Sequence, residues 1–230
     1  MPAKPDWTFS NERTLVVGPS GCGKTTLALS LLAEHLARRA RVFAFDQKGE
    51  LSKRIGVPSA PYGVGIRHRF KCGDAVIYNP HNDYPGAVAA AFLFFAAVAW
   101  NVAHAIPDEV VFVVDEVQDF TGPSRSEIPA PLASIVESGR GWKLHTIAIA
   151  QGANLVNARL RQQFNRVAAF RQSESTAVGP LTAWGFDPDA VAALPPGRFI
   201  LRDRDTGIDR QGAITWKAGR AAVRLSPAAR

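Results

Sequence analysis

The stretch "GPSGCGKTT", residues 18–26, decides the fold of this 230-residue chain. It follows a short β-branched strand, "RTLVVG" (13–18), and opens a segment whose leucines recur at helical spacing. Its glycines let the backbone turn tightly and point N–H groups inward, where they and the positive end of the helix dipole can hold phosphates. The pattern G-x-x-x-x-G-K-[ST] between a strand and a helix therefore predicts a nucleotide-phosphate site.

The residues of this loop have separate predicted roles. Lys24 is expected to place its charge on the β- and γ-phosphates, and Thr25 is expected to offer its hydroxyl to Mg²⁺. Cys22 is expected to be only a small residue of the loop, because nothing around it suggests redox chemistry. ATP and Mg²⁺ are the predicted cofactors. The predicted nucleotide-binding residues are Gly18, Pro19, Ser20, Gly21, Cys22, Gly23, Lys24, Thr25 and Thr26.

Two carboxylates end the apolar stretch "EVVFVVDE", residues 109–116. Ligands of open α/β sheets bind at the carboxyl ends of the strands, so these side chains are expected beside the phosphate loop. Asp115 is predicted to hold Mg²⁺ through water, and Glu116 is the predicted general base that polarises the attacking water. Asp119 is interpreted as a solvated loop residue, because most surface carboxylates are solvated.

A glutamine, Gln151, ends the next apolar stretch, "KLHTIAIAQ" (143–151). In many phosphate-loop ATPases a strand inserted between the two nucleotide-binding strands carries a polar residue at its tip. A carboxamide can donate to a phosphate oxygen and accept from water. We expect Gln151 to sense the γ-phosphate; the alternative is a strand-end residue bonded to backbone.

Apolar strands alternate with helices along the chain, which predicts an α/β fold with a mainly parallel central sheet flanked by helices on both faces. One domain is expected over residues 1–230, with a core at about 13–172 and accessory helices, a strand and a basic tail over 173–230. The expected strands lie at 13–18, 41–46, 75–80, 109–116, 143–151, 166–171 and 197–203, and the expected helices at 23–39, 86–105, 128–140 and 154–164.

Three features bear on the compartment of the protein. The apolar run 87–100 has fourteen residues, too few to cross a bilayer as a helix, and predicts a buried helix. Residues 1–12 show no signal-peptide pattern, so the chain is expected not to be secreted. Cys22 and Cys72 form no disulfide framework, which is typical of a reducing compartment, and the five histidines show no metal-ligand spacing with them.

The charge of the chain suggests a polyanionic partner. The formal net charge is +7 and the isoelectric point is about 9.8, a weak indication of nucleic-acid binding. No acidic residue follows Asp209, and a solvated basic tail is as good an interpretation of that stretch as a polyanion-binding one. Its basic residues are Arg210, Lys217, Arg220, Arg224 and Arg230.

Four stretches, in this order, resemble the HerA–FtsK superfamily of ring-forming DNA-pumping ATPases: "GPSGCGKT", "FDQKGEL", "VFVVDE" and "GRGWKLHTIAIAQ". The second, residues 45–51, resembles the segment after the second strand in FtsK-like and conjugative coupling proteins, and "YNP" (78–80) resembles their Asn-Pro turn. The resemblance covers roughly residues 13–172. It implies a P-loop NTPase fold of the RecA/FtsK-like kind and a homo-oligomeric ring, a pentamer or hexamer.

Within the superfamily, the chain is similar to the genome-packaging ATPases of membrane-containing icosahedral viruses, since none of the extra domains of FtsK or HerA proteins fits here. This resemblance implies a motor that pumps double-stranded DNA into a preformed capsid, with capsid vertex or portal proteins as possible partners. The implied location is the host cytoplasm or the virion. By the match of Gly139 and Arg140 to the family's Gly-Arg pair, Arg140 would be an arginine finger for the neighbouring subunit's γ-phosphate, with Lys143 and Arg159 as competitors.

Other functions remain open on the sequence. A filamentous-phage-type ATPase would extrude single strands, but it would normally bring a transmembrane helix longer than the run 87–100. A cellular or mobile-element translocase of the HerA or FtsK kind is a further alternative. A non-hydrolysing nucleotide-binding scaffold is disfavoured by Lys24, Asp115 and Glu116. The candidate DNA contacts are Arg67, Arg69, Lys71, Arg159 and Arg161.

Overall fold

The computed structural model describes residues 12–60, 75–83, 85–121, 128–172, 175–217 and 220–226. Within these residues, nine strands form one sheet. In chain order the strands are β1 (Arg13–Val17), β2 (Arg41–Phe45), β3 (Ala75–Tyr78), β4 (Val110–Val114), β5 (Leu144–Ala150), β6 (Arg166–Phe170), β7 (Arg198–Asp203), β8 (Ile208–Lys217) and β9 (Arg220–Ser226).

The strand order of the sheet is β3-β2-β4-β5-β1-β6-β7-β8-β9. The first six strands in this order run parallel, and the last three pair antiparallel. The predicted mainly parallel sheet is therefore confirmed. Because β5 lies between β4 and β1, the end of the glutamine-bearing strand lies between the phosphate loop and the end of the carboxylate-bearing strand.

Helices cover both faces of the sheet, as predicted. Successive residues of a strand point to opposite faces, so Leu15 packs with Phe95 on one face while Val16 packs with Leu27 on the other. The helices are α1 (Lys24–Ala37), α2 (Glu50–Ile55), α3 (Val88–Ala105), α4 (Gln118–Thr121), α5 (Ala130–Ser138), α6 (Ala158–Gln163), α7 (Ser175–Thr182) and α8 (Pro188–Ala192).

The helix predicted over 154–164 is interrupted. Residues Ala153–Leu155 form a 3₁₀ turn, and α6 begins only after Asn157, whose side-chain oxygen accepts from the backbone N–H groups of Arg159 and Leu160 at 2.9 and 3.4 Å. This cap starts a new helix, since it satisfies donors that a continuous helix would have bonded internally.

The long apolar helix α3 is only partly buried. Phe92 and Phe95 are buried in the core, whereas Leu93 is 41% exposed. By length and composition alone α3, with 18 residues, could also cross a membrane, which is weak evidence because core helices pass the same test. The predicted buried helix is therefore buried on one face and exposed on the other.

The stretch read as a basic tail contains two strands, β8 and β9, which extend the sheet. Apolar and basic residues alternate there: Val223 and Leu225 pack against the core on either side of the exposed Arg224. Alternation with a period of two is typical of a strand with one covered face, and the density of basic residues obscured it. Ile214 of β8 lies close to the phosphate loop, since a Cβ at Gly23 would lie 3.0 Å from its Cγ1.

A buried polar network lies at the amino edge of the sheet. His145 Nδ1 accepts from the backbone N–H of Glu12 at 3.0 Å, so its proton is assigned to Nε2, which lies 3.3 Å from Glu109 Oε1. The same carboxylate oxygen lies 2.6 Å from His35 Nδ1 and 2.9 Å from Arg38 Nη2. Burial lowers the pKa of both histidines to about 4. Since both nitrogens of His145 are engaged, we interpret the group as a hydrogen-bond network rather than a metal site.

Candidate nucleotide-binding site

A cleft opens at the carboxyl edge of the parallel strands, beside the phosphate loop. Its volume of about 250 Å³ far exceeds the 10–15 Å³ that one water needs, so a polyphosphate can enter. Most of its lining was predicted from the sequence, whereas Lys48, Glu50 and Arg54 had been given no role. The lining residues are Ser20, Gly21, Gly23, Lys24, Thr25, Thr26, Lys48, Glu50, Arg54, Asp115 and Glu116.

Two glycines of the phosphate loop are required by geometry. Gly23 has a φ of 107°, in the left-handed region, and a Cβ there would lie 3.0 Å from Ile214 Cγ1. A Cβ at Gly18 would lie 2.6 Å from Phe170 Cβ, closer than side chains approach. The loop therefore has its shape because it packs against β6 and β8, and larger residues would push it away from the sheet.

Lys24 is buried at the start of α1 and faces the cleft. Its ammonium group donates to the carbonyl oxygen of Pro19 at 2.8 Å, within the same loop. Burial lowers the pKa of Lys24 from its ordinary value, which the anionic Glu116 and Asp115 partly oppose. A bound anion would stabilise this buried charge, which has a neutral carbonyl as its hydrogen-bond partner. The position of Lys24 is therefore consistent with its predicted phosphate contact.

Asp115 and Thr25 supply a ligand set suited to Mg²⁺. Asp115 is 4% exposed, and its Oδ1 accepts from the backbone N–H of Glu116 at 3.1 Å. Burial, with a smaller contribution from the charge of Glu116, raises the pKa of Asp115 to about 7. A divalent cation would favour the ionised carboxylate, and carboxylate and hydroxyl oxygens are the ligands Mg²⁺ takes in proteins. The residues therefore fit the predicted metal.

Glu116 is held by three side-chain donors. Its Oε1 accepts from the ammonium of Lys48 and, at 3.3 Å, from the amide of Gln151, while Oε2 accepts from the amide of Gln118. Burial alone would raise the pKa of Glu116, but the hydrogen bonds from Lys48, Gln118 and Gln151 outweigh it and lower that pKa. Its φ of 52° is uncommon for a residue with a side chain.

Gln151 reaches the site that its strand position predicted. The side-chain amide donates to Glu116, rather than capping the strand through backbone. Its exposed position leaves room for a further partner. Its role as a γ-phosphate sensor stays a prediction.

Two unpredicted cations enter the cleft from the segment after β2. Lys48 follows the strand end by three residues, and Arg54 donates from Nη1 to Thr26 Oγ1 at 2.9 Å. The available signal was positional: β2 is parallel to β4, so polar residues directly after it lie at the same edge. In the same segment Gln47 donates to Asp119 at 2.8 Å. Asp119 is exposed, as predicted, but it lies in the short helix α4 and not in a loop.

Arg140 does not lie at the cleft of its own chain. It sits in a 3₁₀ turn, Gly139–Trp142, directly before β5, whereas the phosphate loop follows β1. The seven residues of β5 place it roughly 20–25 Å from the carboxyl edge, at about 3.3 Å per residue. Arg140 could therefore contact only the nucleotide of another subunit, which is what the finger prediction requires.

The competing cations have partners within the chain. Lys143 donates to the carbonyl of Pro107 at 3.2 Å, also at the amino edge. Arg159 is paired with Glu137 through contacts of 2.9 and 3.0 Å. Arg161, proposed as a DNA contact, is half-buried and donates to a backbone carbonyl at 3.1 Å. The other candidate DNA contacts, Arg67, Arg69 and Lys71, lie outside the described residues.

No protein-family model matches the sequence, and a search of curated proteins finds no relative. Solved structures do match. The genome packaging NTPase B204 from Sulfolobus turreted icosahedral virus 2, in complex with ATP-gammaS, superposes with a TM-score of 0.71 at 13% identity, over 88% of this chain and 97% of that chain. The other matches include a conjugation coupling protein.

VirB4 of Thermoanaerobacter pseudethanolicus matches with a TM-score of 0.61 at 12% identity, over 83% of this chain and 86% of that chain. The pCW3 conjugation coupling protein TcpA matches with a TM-score of 0.58 at 11% identity, over 84% of this chain and 58% of that chain. At such low identity these likenesses establish the fold alone. The chain thus has the P-loop NTPase fold that it shares with these proteins, a mostly parallel sheet flanked by helices with the phosphate loop at its carboxyl edge.

Proposed function

We propose that this chain is an ATP-hydrolysing motor that moves double-stranded DNA, and that its task is to package a viral genome into a preformed capsid. One observation carries the hydrolytic part: Lys24, Asp115 and Glu116 line one cleft, and Gln151 donates to Glu116 from the end of the adjacent strand β5. A scaffold that only binds nucleotide needs no general base. It also needs no neighbouring amide to orient one.

The residues divide the chemistry of hydrolysis among them. Lys24 and the loop N–H groups bind the β- and γ-phosphates, and Glu116 accepts the proton of the water that attacks the γ-phosphorus. The bond from the γ-phosphorus to the bridging oxygen breaks, so that ADP and phosphate leave. Mg²⁺, held by Thr25 and Asp115, would neutralise charge on the phosphates. Gln151 orients the carboxylate from the neighbouring strand.

The DNA part of the proposal is supported by charge and by the structural match. The net charge of +7 favours a polyanion, and phosphate contacts of that kind are independent of sequence. The match to the genome packaging NTPase B204 has a TM-score of 0.71, whereas the match to the conjugation coupling protein TcpA has one of 0.58. This difference favours packaging over conjugative transfer. A ring with Arg140 acting between subunits, in the host cytoplasm or in the virion, completes the proposal.

ATP turnover tests the proposal directly. The full chain is assayed with Mg²⁺ and no nucleic acid, with duplex DNA and with single-stranded DNA. We expect turnover that rises with duplex DNA, falls with added salt and disappears when EDTA removes Mg²⁺. Preference for single strands would instead support an extrusion ATPase, and no turnover under any condition would support a scaffold.

A variant control locates the chemistry. Lys24→Ala should lose turnover and nucleotide affinity, because it removes the cation that contacts the transferred phosphate. Lys53→Ala, an exposed lysine of α2, should change neither. Thermal unfolding of both variants shows whether the fold is retained. Turnover that persists in Lys24→Ala would show that the hydrolysis measured arises elsewhere.

A further inference from the structure

Lys48 lies between the Glu116 carboxylate and the phosphate cleft. Its ammonium contacts the carboxylate of Glu116, and its side chain lines the phosphate cleft together with Lys24. Among the described residues that line the cleft, these two carry ammonium groups. Lys24 belongs to the phosphate loop after β1, whereas Lys48 lies in the segment that follows β2.

The backbone that carries Lys48 is fixed while its side chain has room to move. The buried Asp46 accepts from the backbone N–H groups of Gly49 through its carbonyl, at 3.2 Å, and of Ser52 through Oδ2, at 2.9 Å. Gly49 has a φ of 69° and packs so closely on Asn79 that a Cβ would lie 2.8 Å from its amide nitrogen. The Lys48 side chain is 40% exposed. Its flexible stem can therefore swing from a rigid base.

The contact with Lys48 limits what Glu116 can do as a base. Oε1 of Glu116 already accepts from Lys48 and Gln151, and Oε2 accepts from Gln118. Three of the carboxylate's roughly four acceptor positions are thus occupied. A water that must be held for attack on the γ-phosphorus competes with these donors. Release of Lys48 would open the acceptor position that faces the cleft.

A terminal phosphate can draw Lys48 away from Glu116. A phosphate monoester carries about −1.5 to −2 charge at pH 7 and offers three acceptor oxygens, whereas a carboxylate carries a single charge. An ammonium is a compact point charge and follows the larger anionic charge. A nucleoside triphosphate extends farther along the cleft than a diphosphate does. The exchange would therefore depend on the γ-phosphate.

We propose that Lys48 is a second phosphate-binding lysine, which exchanges the Glu116 carboxylate for the γ-phosphate of a bound triphosphate and thereby releases Glu116 to hold the attacking water. This inference rests on the proposed function and adds a residue to its site. It makes the base available only when a triphosphate is bound. It also lets the cleft bind a triphosphate more tightly than a diphosphate, through a residue outside the phosphate loop.

The test compares the affinities of the full chain for ATPγS and ADP in the presence of Mg²⁺, by isothermal titration calorimetry. Lys48→Ala should weaken ATPγS binding by about tenfold or more, as loss of a charge-assisted contact does, and should leave ADP binding within about threefold. Lys48→Arg, which keeps the charge, should recover part of the preference. Lys53→Ala, on the neighbouring helix, should bind both nucleotides as the unmodified chain does.

A second variant tests the exchange itself. Glu116→Gln removes the competing anion, so it should bind ATPγS at least as tightly as the unmodified chain although its turnover is lost. If Lys48 had only a structural role, Lys48→Ala would weaken the binding of ATPγS and of ADP equally. That result would overturn the inference, and so would unchanged binding of both nucleotides. Weaker ATPγS binding by Glu116→Gln would also overturn it. If the alanine variant does not fold, Lys48→Gln replaces it, and we expect the same selective loss of ATPγS binding.

The outcomes separate this inference from the proposed function. If the unmodified chain hydrolyses ATP and Lys48→Ala keeps its preference for ATPγS over ADP, the exchange is wrong while the motor proposal stands. If the unmodified chain shows no turnover but Lys48→Ala loses that preference selectively, Lys48 is a γ-phosphate ligand in a protein that does not hydrolyse ATP.

Discussion

The amide of Gln151 donates to Glu116 Oε1 at 3.3 Å, across the boundary between β5 and β4. The two residues lie 35 positions apart and belong to adjacent parallel strands, so the contact depends on β5 being inserted beside β4. The strand ends therefore bring an uncharged donor to the candidate base. We expect a change in the position of Glu116 to alter this hydrogen bond to the end of β5.

Removal of the Gln151 amide should affect catalysis more than binding. We expect Gln151→Ala to lower ATP turnover by about 10- to 100-fold, because the base loses an orienting donor, while the dissociation constant for ATPγS stays within about threefold. Gln162→Ala, which alters an exposed glutamine of α6, is the matched control. Steady-state turnover and nucleotide titration measure both effects. Equal losses in binding and turnover would contradict the assignment.

Arg140 should act between subunits, because it lies at the sheet edge opposite its own cleft. Arg140→Ala and Lys24→Ala should each be inactive alone. Mixed oligomers should partly recover turnover, since an intact phosphate loop can then meet an intact Arg140 of a neighbouring subunit. Lys143→Ala and Arg159→Ala are mixed with Lys24→Ala in the same way. If turnover recovers with one of them and not with Arg140→Ala, that residue is the finger.

The buried histidines should make the protein less stable in mild acid. The pKa of His35 and that of His145 are lowered from 6.5 to about 4 by burial, so between these values the unfolded chain binds protons that the folded chain does not. The free energy of unfolding therefore falls as pH falls from 6.5 to 4, by at most on the order of 3 kcal/mol per histidine.

Denaturant titrations at several pH values measure this effect. His35→Gln should reduce the pH slope of stability between 6.5 and 4, and His81→Gln, an exposed histidine, should leave it unchanged. The comparison is made between variants because carboxylates, including Asp115 with its raised pKa, also titrate in and near this range. An unchanged slope in His35→Gln would show that the network carries no such linkage.

Gly212 should not tolerate a side chain. It lies opposite Phe199 in the β7–β8 ladder, and a Cβ there would lie 2.1 Å from the Phe199 ring. We expect Gly212→Ala to lower the free energy of unfolding by about 2 kcal/mol or more, because the ring must be displaced. The Phe199 ring packs on Phe170, which contacts Gly18, so the affinity for nucleotide should fall too.

The same substitution at Gly179 provides the control. Gly179 lies in α7 with nothing within 4 Å of an added Cβ. There alanine should change stability little, because its better helix propensity is offset by its position before Pro180, where a Cβ is disfavoured in a helix. Thermal and chemical unfolding should show a large loss of stability only for Gly212→Ala if the packing at β8 is as described.

Much of the site could be predicted because its residues directly follow predicted strands. The phosphate loop, Asp115, Glu116 and Gln151 all lie one or two positions after an apolar strand, and parallel strands bring such positions to one edge. Lys48 lies three positions after β2, in a turn whose direction depends on Asp46 and Gly49. Nothing local indicates that this turn leads back over the cleft.

The amino-acid sequence by itself determined the apolar strands, the helix periods and the glycine pattern of the phosphate loop, because these are local properties with short repeats. Only the tertiary structure decided that Lys48 contacts Glu116, that Arg140 lies at the far edge, and that the basic C-terminal stretch forms strands against the loop. Those relationships depend on strand order, and strand order follows from the packing of residues far apart in the chain.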